Sequence, residues 1–546
     1  MTAKGGADGA TVAAIGAFAL IVAALLYLVT HEHLGVSADG IVYLDGARSL
    51  ADGLGFTTLS YGPGRAYIVH FPPGYSAALA LIAWVTGMGM YRAAGVFGIV
   101  TAVALVCSAG AITLRWTRSR GAAAVAAGIV GLHPVLLDLY AMPRSEPLYL
   151  LAVIWSVHFL ARYLTERGAI WLLGASLLAA AAALTRFVGL AAAALLPFAI
   201  MALGRAPWRT RVAHAVGAFV VAVAPLALWV ARLSGMGPPP RTMAWHPEPL
   251  RAEAQHLVLW TLAWPAPPLA QLPAGFWLVL LKAVAPALIA MGAAAWGVLA
   301  LRRVRSRGLP REGSDALALL WLVHAAGYLA FVILSLMLAD AATPLNDRIL
   351  APTFLSLSLA AVAAFPALLR EDAGRTTRLL RGASAASVAL IAAGGVLWAV
   401  GHLRHGGPGW DVGRYGRAPV LSAVGRIPER ATIYTTRPDV VYAATGRQAV
   451  RLPALFDPYS HEALAFEARL DSLRRTLCCG SVVVLFKSGP QGPYDPGLPR
   501  RPYDPADSVV QQRLGLTLAR ADSFARLYVL PAPDTAEARP GRRPAR

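Results

Sequence analysis

Charge is scarce in this chain. Asp, Glu, Lys and Arg make up only 14% of its 546 residues, against about a quarter in an ordinary soluble protein. So few charges cannot cover a water-facing surface, which excludes a purely soluble enzyme. Cysteine is nearly absent. Cys107, Cys478 and Cys479 are the full set, and they supply neither a disulfide framework nor a zinc-ligand spacing. The adjacent Cys478 and Cys479 read as incidental. Lysine is limited to three residues, so arginine carries most of the formal net charge of +20. No fixed-period repeat occurs, and there is no inverted symmetry between the halves.

What the chain has is apolar residues: 57% of the total, with a mean hydropathy of +0.55. They come in long unbroken runs, which excludes disorder, collagen and coiled coil. Runs long enough for a bilayer need about 17–25 residues. They fall at 11–30, 93–114, 121–137, 146–164, 168–184, 187–203, 211–233, 275–301, 314–338, 347–369 and 383–402. The first lacks a strongly basic leader and a small-x-small cleavage site, so it reads as a retained anchor. Gly74 to Met88 is too short for a span and reads as an interfacial or re-entrant helix.

Arginine placement supports that reading. If 74–88 does not cross and the N-terminus is inside, the short inner loops hold 18 basic residues and the longer outer loops nine. A crossing would flip every later loop and reverse the bias. The expectation is eleven spans, a cytoplasmic N-terminus and an outer C-terminal domain. Much of the positive charge is then topological. The basic loops are short, scattered and poor in aromatics, which excludes nucleic acid as a partner.

The expected organisation is a membrane domain over 1–402, with an outer loop 31–92 carrying juxtamembrane helices. An extracytoplasmic α/β domain over 403–530 and a disordered Pro-, Ala- and Arg-rich tail over 531–546 follow. In the outer domain, Thr432–Thr436, Val440–Ala443, Ser481–Lys487 and Arg526–Leu530 read as strands, and His461–Leu477 as an amphipathic helix. It has no GxxxxGK[ST] and no GxGxxG between a strand and a helix, so no nucleotide loop is found.

The distinctive polar residues gather on the outer side. Asp39 follows the first span and stands before Ile41, Leu44, Ala47 and Leu50, which recur at helical spacing. It reads either as an N-cap or as a general base, because a carboxylate at the lip of an apolar cavity is suited to take a proton. Asp45 and Arg48 read as a surface ion pair. Glu146 opens a span, where a helix N-terminus favours an anion, and Arg144 beside it is a phosphate-binding candidate. Arg186, in LTRFVGL, and Arg348, in PLNDRILAP, each lie at a span end. They and Lys282 read as snorkelling to headgroups, with a planar fork that grips phosphate as the alternative for the two arginines. Phosphate at this depth would belong to a lipid. His31-Glu32-His33 does not have the HExxH zinc spacing. His158 and His324 fall inside spans and read as packing residues that hydrogen-bond a neighbour.

The ordered set resembles the GT-C superfamily of membrane glycosyltransferases. The resemblance is to the bacterial branch related to protein O-mannosyltransferases and aminoarabinose transferases. It rests on Asp39, Tyr43, Ala47-Arg48, Gly53 and Gly55 in the first loop, then FPPGYSAALALIAWVTG, RSEPLYLLAVIW, LTRFVGLAAA and NDRILAPTFLSLSLA in order. RIPERATIYTTRPDVVYAATGRQAVRLP in the outer domain adds to it. It departs from that pattern where Gly40 follows Asp39 in place of a second acid, and where Glu146 stands for an Asp.

The resemblance implies a mainly α, polytopic fold with a small C-terminal α/β domain. It implies transfer of a sugar from a polyprenyl-phosphate lipid donor to an acceptor lipid, glycan or protein on the outer face of the bacterial plasma membrane. Asp39 would be the base of an inverting single displacement. Arg144, Arg186, Arg348 and Lys282 would bind the donor phosphate, and Glu146 would position the acceptor or a cation. It commits to no cofactor and leaves a divalent cation open. The competing classes are a transporter or flippase of lipid-linked sugars without catalysis, and an assembly protein that the spans merely anchor.

Overall fold

The structure is a computed structural model. It describes residues 3–60, 64–234, 313–339, 343–371, 375–405, 417–456, 463–477, 480–487 and 505–530, with single positions and short stretches between 236 and 268 and at 409. The chain divides into two compact units. One comprises Met1–Thr58, Tyr67–Gly409 and Pro458–Ser460; the other comprises Leu59–Ala66, Trp410–Asp457 and His461–Arg546.

The first unit is helical. Its described helices are α1 (Ala3–Thr30), α2 (Ala38–Ala51), α3 (Gly74–Thr86), α4 (Met90–Thr117), α5 (Arg120–Leu132), α6 (Pro134–Ala141), α7 (Glu146–Glu166), α8 (Ala169–Thr185), α9 (Leu190–Leu203), α10 (Trp208–Leu233), α11 (Gly313–Leu338), α12 (Asp347–Glu371) and α13 (Arg375–His405). Among the described residues seven helices are long and apolar enough to cross a membrane: α1, α4, α7, α10, α11, α12 and α13. The expected spans at 168–184 and 187–203 are shorter apolar helices. The one expected at 275–301 lies outside the described residues.

The apolar run 121–137 is not one straight helix. It breaks into α5 and α6, bent by 53°. Pro134 explains the break, since its ring disfavours helical geometry at the preceding residue. His133 is accordingly extended, at φ −66° and ψ 123°. Its ring caps the new helix by accepting from the Val135 amide at 3.3 Å. α3 has 13 residues and ends in a left-handed Gly87. At 1.5 Å per residue it spans roughly 20 Å, short of the roughly 30 Å hydrocarbon layer. It leaves Leu81, Trp84 and Val85 exposed.

Small residues let these helices approach closely. Ala123, Ala126, Ala127, Ala179, Ala182 and Ala183 are buried. A methyl on Gly98 of α4 would overlap the Tyr140 carbonyl of α6. The turn between α8 and α9 is equally tight. Arg186, Phe187 and Val188 fill it, the Gly189 amide donates to the Arg186 carbonyl at 2.8 Å, and a methyl on Gly189 would overlap the Ala182 backbone.

The second unit holds α14 (Pro419–Gly425), β1 (Ile433–Thr435), α15 (Pro438–Thr445), β2 (Val450–Arg451), α16 (Phe466–Thr476), β3 (Val482–Phe486), α17 (Asp507–Leu514), β4 (Thr517–Ala521) and β5 (Ala525–Val529). The sheet order is β2-β1-β3-β5-β4. β1 is parallel to β2 and β3, while β5 is antiparallel to β3 and β4. Every residue of β3 is buried. Val482, Val484 and Phe486 pack with Val420 and Val440, and Val483 and Leu485 with Leu470 and Val510. A strand covered on both faces reads as a continuous apolar run, which VVVLF is. Val440–Ala443, expected as a strand, is instead the body of α15. The β-branched pair there is outweighed by helix signals: Pro438 in the first turn, Asp439 behind it, and Gly446 in the left-handed conformation at the end.

Candidate active site

α2 starts the site. Ser37 is its N-cap and accepts from the Gly40 amide at 3.3 Å. Asp39 is therefore not the cap, which leaves its carboxylate free to face elsewhere. It turns to α12, where Arg348 Nη2 stands 2.6 Å from Asp39 Oδ2. The same guanidinium donates through Nε to Glu146 Oε1 at 2.5 Å. Arg186, from the α8–α9 turn, meets that same oxygen at 2.6 Å through Nη1. Four of the residues singled out in the sequence thus form one chain of contacts: Asp39, Arg348, Glu146, Arg186. They come from four separate places in the sequence.

Burial grades this chain. The Glu146 side chain is 0% exposed and that of Asp39 is 31% exposed. Glu146 is the inner anchor and Asp39 the outer, water-reachable end. Glu146 Oε2 has no hydrogen-bond partner among the described residues. Removing one member of a buried ion pair costs about 3–5 kcal/mol, because the other is left as an uncompensated charge. Burial alone would pull Arg186 below its ordinary value. Glu146, together with smaller contributions from Tyr328 and Tyr43, outweighs burial, and the guanidinium is held above that value and stays charged.

A ring of hydroxyls surrounds the charges. Ser145 Oγ accepts from Arg186 Nη1 at 3.2 Å and shares a hydrogen bond with the Tyr43 hydroxyl at 2.9 Å. Burial pushes the Tyr43 phenol well above its usual range despite the opposing Arg186, so it remains a neutral hydroxyl at neutral pH. Its ring is fixed by Phe71 and Tyr75, at centroid separations of 4.9 and 5.0 Å. Tyr328 of α11 donates to the Ile349 carbonyl at 2.9 Å and lies beside Arg186. One layer further in, His324 bridges α7 and α12. Its Nε2 is 3.2 Å from the Tyr149 hydroxyl and its Nδ1 2.9 Å from Ser356 Oγ. The helices carrying Glu146 and Arg348 are thereby tied together below the site.

Other expected residues fall elsewhere. Arg144 pairs with Asp138 Oδ2 at 2.8 Å instead of joining the contacts to Glu146. Lys282 lies outside the described residues. Asp45, expected in a surface ion pair with Arg48, is not at the surface. It is buried and accepts from Thr58 Oγ1 at 2.8 Å, while Arg48 is exposed. His158 accepts from Trp116 Nε1 at 3.1 Å. Ser145 and Tyr328 were not singled out in the sequence. Ser145 stood between two residues that were, whereas a lone Tyr inside an apolar run offered no signal.

No group of three or more His, Cys, Asp or Glu residues that could hold a metal occurs among the described residues. Asp39 and Glu146 both face Arg348, so a divalent cation between them would have to displace a guanidinium. The donor set does not suit one.

No model of a known protein family matches the chain, and no curated protein sequence matches it. Solved structures do. The ArnT from Cupriavidus metallidurans in the apo state is similar with a TM-score of 0.56 at 14% identity, over 96% of this chain and 98% of that one. The same protein bound to undecaprenyl phosphate gives 0.50 at 15% identity, over 94% and 97%. The oligosaccharyltransferase of Archaeoglobus fulgidus in the apo form gives 0.50 at 13% identity, over 86% and 69%. At such identities the likeness is one of fold: the chain is a multi-pass membrane protein that shares the fold of the ArnT from Cupriavidus metallidurans.

Proposed function

We propose that this protein is a membrane glycosyltransferase. It moves a sugar from a polyprenyl-phosphate donor to an acceptor on the outer face of the bacterial plasma membrane, with the C-terminal unit on that same face. The observation that carries the reading is the single guanidinium of Arg348 touching both Asp39 and Glu146, with Arg186 on the far side of Glu146. Two cations held this close repel each other, and the buried Glu146 offsets that repulsion. It keeps both arginines charged and oriented, which is the preorganisation a departing phosphate needs.

The resting contacts suggest the order of events. The donor phosphate approaches the two arginines and competes with Asp39 for Arg348. Once the phosphate oxygens take the guanidinium, Asp39 is released to accept a proton. The acceptor oxygen or nitrogen then attacks the anomeric carbon and its proton goes to Asp39. The bond between that carbon and the phosphate oxygen breaks, with inversion, and the polyprenyl phosphate leaves with its charge held by Arg186 and Arg348. Ser145 holds Arg186 by accepting a hydrogen bond from it, and the Tyr43 hydroxyl in turn holds Ser145. A lipid donor suits this setting because nucleotide sugars are absent outside the cytosol. The ArnT from Cupriavidus metallidurans binds undecaprenyl phosphate, which makes that lipid the first probe to try. The test is turnover by the purified full chain of a panel of undecaprenyl-phosphate sugars with added acceptors. A wild type that binds such lipids and consumes none of them supports the flippase class instead.

A further inference from the structure

A second polar cluster lies directly beside the first. It resembles neither a salt bridge on a surface nor a packed core. α6 contributes Asp138, the loop before α7 contributes Arg144, the start of α12 contributes Asp347, and the end of α13 contributes His402. Arg144 Nη1 pairs with Asp138 Oδ2 at 2.8 Å. Asp347 has Asp138, Arg144 and Arg348 as its charged neighbours, and one of its oxygens accepts from the Arg348 amide at 2.8 Å. His402 Nε2 stands 3.9 Å from Asp138 Oδ1, too far for a hydrogen bond.

We propose that Asp138, Arg144, Asp347 and His402 form a subsite for the hydroxyls of a sugar, next to the phosphate-binding arginines. The proposal rests on the transferase reading and extends it to what the enzyme selects. Placement is the first argument. Arg144 precedes Glu146 by two residues and Asp347 immediately precedes Arg348. The two chain segments that aim Glu146 and Arg348 at one another therefore aim Arg144 and Asp347 into the adjoining space.

The second argument is unused hydrogen-bonding capacity. Arg144 Nε and His402 Nε2 are both buried and have no partner among the described residues. The first is a donor. The second is an acceptor in the neutral ring, because Nδ1 lies 2.9 Å from the Trp398 carbonyl and must carry the proton. Buried polar atoms are almost always satisfied, so an open donor and an open acceptor in one cluster mark a place for a ligand.

The third argument is charge. A second phosphate would meet Asp138 and Asp347, and a simple cation would meet Arg144. A neutral polyol meets neither objection, since each hydroxyl can donate to a carboxylate or imidazole and accept from a guanidinium. Vicinal hydroxyls match the side-by-side donor and acceptor that the Asp138–Arg144 pair presents. The same chemistry serves the sugar of the donor or a sugar of the acceptor, and the experiment separates them.

The full chain in lipid nanodiscs is titrated in two arms. In the first, affinities for a panel of undecaprenyl-phosphate sugars are compared with bare undecaprenyl phosphate. In the second, methyl glycosides are titrated into protein already saturated with bare undecaprenyl phosphate. Wild type is expected to bind one sugar-bearing lipid, or one methyl glycoside, at least tenfold better than the others of its panel. Asp138→Asn is expected to abolish that preference while bare-lipid affinity stays within twofold, since one charge-assisted hydrogen bond accounts for about tenfold. Loss in the first arm assigns the subsite to the donor, and loss in the second to the acceptor. Asp347→Asn serves as the second variant, should Asp138→Asn not fold. An unchanged preference in both arms, or no preference in wild type, overturns the subsite and leaves the transferase reading standing. A wild type that fails to bind undecaprenyl phosphate at all overturns both.

Discussion

The two units use their charged residues in opposite ways. In the C-terminal unit, Arg437 pairs with Asp439 two residues away at 2.9 Å, and Arg513 pairs with Glu467 at 2.9 Å with more than half of each side chain exposed. Such pairs are local or wet. Exposed ones contribute roughly 0–1 kcal/mol and are easily lost without consequence. In the helical unit, Arg348 reaches Glu146 across 202 residues of sequence, and Glu146 is wholly buried. Burying a charge costs several kcal/mol before any pairing returns it. A fold that accepts this cost at a helix terminus, where an apolar residue would pack more cheaply, gives up stability to keep the charges together, as the proposed transferase site requires.

Substitutions at four positions break or sharpen that contrast. Asp39→Asn keeps the shape of the site and removes the proton acceptor. Turnover of the donor lipid should fall by roughly 100-fold or more, while lipid affinity stays at or above the wild-type value, because the phosphate no longer competes with a carboxylate for Arg348. Retention of more than a tenth of the wild-type rate would sink the assignment of Asp39 as base. Glu146→Ala leaves Arg186 and Arg348 facing each other without their carboxylate. It should cost about 3–5 kcal/mol, seen as a large drop in melting temperature, and Glu146→Gln should cost less. A Glu146→Ala protein as stable as wild type would remove the reason given for the pairing. Arg348→Lys keeps the charge but loses the fork that spans Asp39 and Glu146. Affinity for undecaprenyl phosphate should weaken by about tenfold, as for loss of one charge-assisted contact; equal affinity would place the phosphate elsewhere. Arg513→Ala in the C-terminal unit is the control, with a stability change below about 0.5 kcal/mol and unaltered turnover. A larger effect there would erase the contrast between the units.

Much of the helical architecture was legible because span length and apolarity are local properties. The residues that close the site were legible for a related reason. Asp39, Glu146, Arg186 and Arg348 each interrupt an apolar context at a helix end, and that interruption is visible without coordinates. What sequence could not supply was which acid faces which cation. Arg144 and Arg348 looked alike as candidates, yet Arg144 turns to Asp138 and Arg348 to Glu146. The choice depends on which distant segment packs beside each arginine, α6 for Arg144 and α7 for Arg348. Asp347 and His402 went unnoticed for the same reason, since an acid beside a flagged arginine and a histidine at a helix end acquire meaning only when two distant segments meet. The misread strand at 440–443 shows the limit of β-propensity: two valines weigh less than a proline, an acid and a glycine placed at the right ends.

The turn that carries Arg186 has one more consequence. Its charge is aimed by a neighbour with no functional group whatever. Gly189 lies so tightly against Ala182 that even one added carbon would wedge α9 away from α8, and the guanidinium would swing off its carboxylate with it. Tolerance to substitution around this pocket should therefore follow crowding more than chemistry. A survey that scored residues by reactivity alone would pass over this glycine.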